Sequence, residues 1–295
     1  MHKRKSVTRL FAAAVAVVAL GALTVASGAS AHTGAWARFN YCPSTNSAVF
    51  KCLNATTVGG KVVLGKKTVP IVNPVTLQGG ITEANEETYV SNFVGATNGD
   101  TLSKTAQPVP GGLSGLVNCK EISLGFLRVS CETIFENGLT GVNATLELAK
   151  PASEIRVSEV NLAFEEGTAL KLPVRVHLEN PLLGSTCYVG SSSSPLIWNL
   201  TTGVTTPPAG TAPIHGKAGL LEFIEKEQIA EIAGTELVDN TWSAPGASGC
   251  GGFLVEYVLD PIINSQIGVP AVAGKNTAIL KDNIFIALAE TVNQH

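Results

Sequence analysis

The chain has few charged and few aromatic side chains. Of its 295 residues, 15% are Asp, Glu, Lys or Arg and 6% are aromatic. No stretch interleaves basic with aromatic residues, as a typical nucleic-acid-binding surface does. Without the first 31 residues, which hold four basic and no acidic side chains, the chain has a formal net charge of −7. This charge argues against nucleic acid or anionic lipid as a partner.

Motifs of the common catalytic and metal sites are also missing. The sequence has no C-x-x-C, no H-E-x-x-H and no phosphate-binding glycine loop. The segments around Ser114 and Ser248 each lack the final glycine of G-x-S-x-G. We therefore predict no metal, no cofactor and no enzymatic activity, and we keep an extracellular hydrolase as the third interpretation.

The N-terminus has the pattern of a secretory signal peptide. Four basic residues precede an apolar run over 10–25, and Ala29-Ser30-Ala31 fits an A-x-A cleavage site. The run has 16 residues, fewer than the roughly 20 that a membrane-spanning helix needs. We predict cleavage after residue 31, secretion and no membrane span afterwards; an uncleaved N-terminal anchor is the alternative.

All six cysteines lie beyond this segment, where oxidation is allowed. Six cysteines permit fifteen connectivities, and spacing alone does not prove one. The two short intervals favour Cys42–Cys52 and Cys119–Cys131, which leaves Cys187–Cys250 to close a long loop. An even count leaves no thiol over for catalysis.

The composition is typical of short strands joined by tight turns, with 30 glycines and 15 prolines. We predict a mainly β protein: an antiparallel β-sandwich or two stacked β modules, with one or two short helices. The modules would span 32–150 and 151–295, or form one continuous domain. Alternation of apolar and polar residues predicts strands at 144–148, 154–162 and 172–178.

Other segments carry more specific expectations. Residues 119–131 resemble a hairpin around Gly125, and 277–287 a closing hairpin around Lys281-Asp282. Asp260-Pro261 is a helix start signal, and Gly268 fits its end. Residues 220–232 fit a helix or two short strands. The stretches 95–115 and 201–219 are long irregular loops.

Two internal histidines are the candidates for acid–base chemistry. His177 lies two residues before Glu179 in a predicted strand, so both side chains would share one face. A base with its orienting carboxylate is one interpretation, and a half-exposed strand histidine is the favoured one. We interpret His215 as a loop residue.

Acidic groups offer weaker candidates. Glu83, Glu86 and Glu87 form one cluster and Glu165-Glu166 another, and paired carboxylates are a feature of glycoside hydrolases. Asn98-Gly99-Asp100 and Asp239-Asn240 resemble parts of calcium sites. Solvated turns explain the two glutamate clusters better, and turn chemistry explains the two calcium-like segments better.

Tryptophan is the remaining candidate for ligand contact, because its ring stacks on sugars and other flat ligands. The chain has three, Trp36, Trp198 and Trp242. Core packing is the favoured role for each. Trp198 and Trp242 are the possible ligand contacts, since Trp242 precedes a Gly- and Pro-rich loop.

Three segments, 101–113, 177–195 and 239–252, resemble an uncharacterised family of secreted actinobacterial proteins. The resemblance implies export and a Gram-positive source. It implies no activity and no site residues, because no function is established for that family. The favoured function is a secreted, non-catalytic surface or matrix protein that binds or self-associates. A small-ligand or carbohydrate-binding protein is the alternative.

Overall fold

The structure is a computed structural model that describes residues 31–295. The predicted signal peptide therefore lies outside the described residues, apart from Ala31. Residues His32–His295 form one compact unit. Among the described helices, none is both long and apolar enough to cross a bilayer.

The described residues form a mainly antiparallel β fold with few short helices, as the composition predicts. The strands are β1 (Lys51–Leu64), β2 (Lys67–Pro70), β3 (Val75–Ile81), β4 (Ser91–Gly95), β5 (Ala106–Pro108), β6 (Asn143–Leu148), β7 (Arg156–Val157), β8 (Leu170–Glu179), β9 (Tyr188–Val189), β10 (Leu196–Leu200), β11 (Leu220–Ile224), β12 (Ile229–Asp239), β13 (Ala247–Ser248) and β14 (Thr277–Leu288). The α-helices are α1 (Gly125–Glu136), α2 (Glu159–Phe164), α3 (Glu256–Ile267) and α4 (Ala289–Asn293).

The strands form two sheets of a β-sandwich-like fold. Sheet A has the order β11-β12-β14-β1-β3-β4, with β2 also on β1. Sheet B centres on β8, which pairs with β6, β7, β9 and β10. Strand β4 joins the sheets, because Gly95 lies opposite β3 while Ser91 lies opposite β7. The largest hydrophobic cluster contains the inward side chains of both sheets.

Strand β8 shows how the sequence sets the faces of sheet B. Its apolar residues Leu172, Val174, Val176 and Leu178 are buried in the core. Arg175 and His177 alternate with them and lie on the opposite, outer face. The predicted strands at 172–178 and 144–148 are present as β8 and β6.

The structure has the three disulfides that the cysteine spacing favours. Cys42–Cys52, Cys119–Cys131 and Cys187–Cys250 are bonded, and no cysteine is free. The expected hairpin inside the second pair is wrong: a 3₁₀ turn at Cys119–Glu121 precedes α1. Leu127 and Cys131, four residues apart, form the buried face of this helix.

Two further strand predictions need correction. Of 154–162, only Arg156–Val157 is strand, because Ser158 caps α2 by accepting a hydrogen bond from the Asn161 amide. Residues 277–288 form one strand without a turn, since β14 pairs with β1 on one side and β12 on the other.

The helix predicted at 261–267 is present but begins at Glu256, so Pro261 lies inside it. Leu259, Ile263 and Ile267 are buried at a spacing of four, and this apolar stripe extends the helix through the proline. Gly268, with φ of 79°, ends it as expected. Residues 220–232 are two strands, β11 and β12.

Candidate functional site

His177 lies on the outer face of sheet B within a cluster of polar side chains. Its Nδ1 is 3.7 Å from Glu179 Oε1, the carboxylate that the two-residue spacing predicts, and 3.7 Å from Glu147 Oε1. Its ring stacks on Tyr188 at 4.4 Å between centroids. Glu147 Oε2 accepts a hydrogen bond of 2.7 Å from Arg175 Nη2.

No pattern in the sequence singled out Glu147, Arg175 or Tyr188. Glu147 and Arg175 are directly opposite on β6 and β8, and His177 is opposite Tyr188 on β9. The Arg175 guanidinium lies 4.3 Å from the Tyr188 ring centroid. Burial raises the pKa of Tyr188, and the charges of Glu147 and Glu179 raise it further. The cluster is a network of stacked and charge-paired side chains across three strands.

Neither candidate serine contacts His177. Ser114 Oγ donates a hydrogen bond of 2.6 Å to the Gly111 carbonyl. Ser248 is opposite Tyr188 on β13, and Tyr188 separates it from His177 by one strand. A serine–histidine pair at hydrogen-bond distance is therefore not formed by these described residues.

His215 is an exposed side chain whose Nε2 is 3.8 Å from Glu165 Oε2. Glu165 ends α2 in the left-handed region with φ of 58°, and its Oε1 accepts a hydrogen bond from the Ala218 amide. The Glu165-Glu166 pair is thus a turn that ties α2 to the segment before β11. His215 lies in a loop, at an isolated bridge with Val204.

The other acidic candidates also lie in turns. Asn85 Oδ1 accepts hydrogen bonds from the amides of Glu87 and Thr88, so the exposed 83–87 segment is closed by local contacts. Asn98 Oδ1 accepts from the Asp100 amide. Among residues 31–295, no group of three or more His, Cys, Asp or Glu side chains is arranged to hold a metal ion.

Trp198 and Trp242 are buried together, with ring centroids 5.8 Å apart and an interplanar angle of 52°. Both rings are therefore part of the core, and neither presents an open face to a sugar in solvent. The Nε1 atoms of both rings are buried without a hydrogen-bond partner in the described part of the chain. Trp36 is also buried and stacks on His295 at 4.3 Å.

Trp198 lines an apolar cavity of about 80 Å³ between the two sheets. This volume is well below the roughly 300–1,000 Å³ of pockets for drug-sized ligands. A second cavity of about 50 Å³ lies next to Asp282. The sandwich therefore has small interior spaces and no wide central chamber at these two positions.

The sequence did not indicate that the carboxylates of Asp239 and Asp282 are buried. Asp239 has no exposed surface, and it accepts hydrogen bonds from the Asn199 amide and from the amide and hydroxyl of Thr241. Asp239 is thus held by protein donors, and its hydrogen bond from the amide of Thr241, two residues further on, is a turn contact. Asp282, in the centre of β14, accepts one hydrogen bond of 2.5 Å from Thr57 Oγ1.

Sheet A ends in a free edge at β11. Strand β11 ends the strand order, and no other strand among residues 31–295 pairs with its outer side. Three of its apolar side chains are exposed: Leu220 at 62%, Leu221 at 63% and Phe223 at 61%. The strand contains no lysine or proline, the residues that commonly protect an edge from pairing.

The apolar surface of this edge continues the core layer of sheet A. Phe223 lies opposite Ala230, which lies opposite Ile286, which lies opposite Leu53. Leu53 and Ile286 are buried in the core, while Ala230 is partly buried. One row of apolar side chains therefore runs from the core to the exposed edge.

Comparisons with known proteins found no match: no family model, no curated protein and no solved structure matches the chain.

Proposed function

We propose that the protein is a secreted, non-catalytic binding protein that associates with a second copy of itself through the edge of β11. The observation that carries this proposal is the apolar row that ends, exposed, at an edge strand that has no lysine or proline and one charged residue, Glu222. The disulfides fit an oxidising extracellular location. The resemblance to secreted actinobacterial proteins supports the same location.

Strand β11 is complementary to itself in an antiparallel pairing. With Glu222 at the two-fold axis, Leu221 of one copy faces Phe223 of the other, and Leu220 faces Ile224. The Leu221 and Phe223 side chains then extend the apolar inner face of sheet A across the interface. The two Glu222 side chains face each other, and like charges directly opposite weaken a strand pair.

A non-catalytic role is supported by how the candidate groups are engaged. The polar neighbours of His177 are the carboxylates of Glu147 and Glu179. The six thiols are consumed by disulfides. The disulfides join segments next to both sheets, since Cys52 lies in β1 of sheet A and Cys187 directly precedes β9 of sheet B.

Sedimentation velocity of the exported protein over a range of concentrations tests the proposal. We expect a monomer–dimer equilibrium, and we expect Phe223→Lys to raise the dimer dissociation constant at least about tenfold, or about 1.4 kcal/mol. Glu222→Gln should tighten the dimer because it removes the like-charge pair. Phe126→Lys is the matched control, since Phe126 is 65% exposed on α1, the helix that Cys119–Cys131 joins to the preceding turn.

Two results would contradict the proposal. One is a wild-type protein that stays monomeric at the highest soluble concentration. The other is a Phe126→Lys variant that dissociates the dimer as strongly as Phe223→Lys does. An unchanged constant in Glu222→Gln would reject the proposed register alone.

A further inference from the structure

The apolar cavity between the sheets has a position and a lining that set it apart from a random packing gap. It lies where the ends of β1 and β2 in sheet A approach β6 and β8 in sheet B. Trp198 and Leu116 of its lining are fully buried, while Val69, Ile71 and Lys67 are partly exposed. The lining therefore includes both core residues and residues at the surface. Thr105, Gln107 and Ala144 also line it.

Most polar groups of the lining are already engaged with the protein. Gln107 Oε1 accepts hydrogen bonds from the amides of Val72 and Asn73, and its Nε2 donates to the carbonyls of Asn73 and Thr105. The Thr105 hydroxyl is 3.0 Å from the Ser103 hydroxyl. These groups fix the wall and leave the interior apolar.

Lys67 is the exception among the polar lining residues. Among residues 31–295, no carboxylate lies within 4.0 Å of its ammonium group, which also has no hydrogen-bond partner. A Cβ built on Gly115 would lie 3.5 Å from Lys67 Nζ. Gly115 directly precedes Leu116 of the lining, so the lysine reaches from β2 across to this segment with its charge beside the cavity.

An apolar space with one unpaired cation beside it selects a ligand by two features. The interior favours hydrocarbon, because burying apolar surface there is favourable and no polar group is offered. The ammonium of Lys67 favours an anionic group at the outer end of that hydrocarbon. The small volume excludes sugars and ring systems of drug size.

We propose that this cavity binds a short, unbranched aliphatic carboxylate, with its chain directed toward Trp198 and its carboxylate on Lys67 Nζ. The site is separate from the β11 edge, so it does not depend on self-association. It makes the protein a carrier or sensor of a small amphiphilic acid.

Isothermal titration calorimetry with straight-chain carboxylates of increasing length tests the apolar part. Each added methylene should tighten binding about fourfold until the cavity is full, and the gain should then stop. Hexanoate, hexan-1-ol and hexylammonium share one chain and differ in the head group. We expect hexanoate to bind most tightly and hexylammonium most weakly.

Substitutions test the contact with the Lys67 ammonium and the apolar interior separately. Lys67→Met should weaken hexanoate binding at least about tenfold and leave hexan-1-ol unchanged. Lys61→Met, at an exposed position of the neighbouring β1, is the matched control and should change neither. Ala144→Val narrows the cavity and should weaken both ligands, and thermal unfolding of each variant checks that it is folded.

The proposal is overturned if wild-type protein binds hexanoate no more tightly than hexan-1-ol, or if no carboxylate binds up to its solubility limit. It is also overturned if Lys67→Met and Lys61→Met have equal effects. An Ala144→Val variant that is folded and binds as the wild type does would place the ligand elsewhere.

Discussion

Asp239 and Asp282 are buried to almost the same extent, with 0% and 3% exposure, yet their surroundings differ. Asp239 ends β12, where the following loop and the neighbouring β10 provide three donors. Asp282 lies in the middle of β14, where Thr57 Oγ1 is its one hydrogen-bond donor and Oδ2 has none among the described residues. Asp239 therefore has three donors that offset the cost of its burial, whereas Asp282 has one.

The pKa directions agree with this difference. Burial raises the pKa of both carboxyl groups, and hydrogen bonds from Thr241 and Asn199 oppose the rise at Asp239. At Asp282, burial raises the pKa from 3.8 to about 6, with Thr57 opposing it. Register shifts of β1 and β12 lie beside Asp282, because Thr57 and Thr235 are both opposite it where the pairing becomes irregular.

Removal of the Asp239 carboxylate, which has three donors, should have the largest effect on stability. Asp239→Ala leaves the amides of Asn199 and Thr241 without their acceptor, so we expect the free energy of unfolding to fall by about 4 kcal/mol at pH 7. Urea denaturation measures it. A loss below about 1 kcal/mol, the range of ordinary surface changes, would show that these hydrogen bonds do not offset the free-energy cost of burying the carboxylate.

The pH dependence of stability should separate the two sites. Since the pKa of Asp282 is higher in the folded state, the folded protein binds the extra proton between 3.8 and about 6. Its stability therefore falls as pH rises through this window, by about 3 kcal/mol. Asp282→Asn lacks this titration, so its stability relative to wild type should improve by about that amount between pH 4 and pH 8.

Denaturation of both proteins across this pH range measures the slope. The contribution of Asp239 is present in both and cancels in the difference. Parallel curves for wild type and Asp282→Asn would contradict a raised pKa at this position.

The smallest loss of stability is expected on removal of the Thr57 hydroxyl, which donates a hydrogen bond to Asp282. Thr57→Val removes the single donor to the ionised carboxylate, which should cost about 1–2 kcal/mol at pH 8. At pH 4 the carboxyl is protonated and the loss should be smaller. In an Asp282→Asn background the pH dependence of this loss should disappear, which a double-mutant cycle measures.

Local sequence patterns predicted much of the fold and little of the candidate sites. Alternation identified β6 and β8 because each has one buried and one outer face. Cysteine spacing favoured the pairs that the structure contains. The hairpins at 119–131 and 277–287 were wrong, because apolar runs of this length fit a helix or a longer strand equally well until their partners are known.

The sequence by itself determined the mainly β character and favoured the cysteine pairs without proving them. The β character follows from side-chain periodicity and turn residues, which are local quantities, whereas Cys187–Cys250 joins residues 63 positions apart. Only the tertiary structure decided that Lys67 meets the cavity of Trp198, that Asp282 lies at the centre of a sheet, and that β11 is left as an edge. Each of these brings together segments that are distant in the chain, and their energies come from burial and hydrogen bonding between those segments.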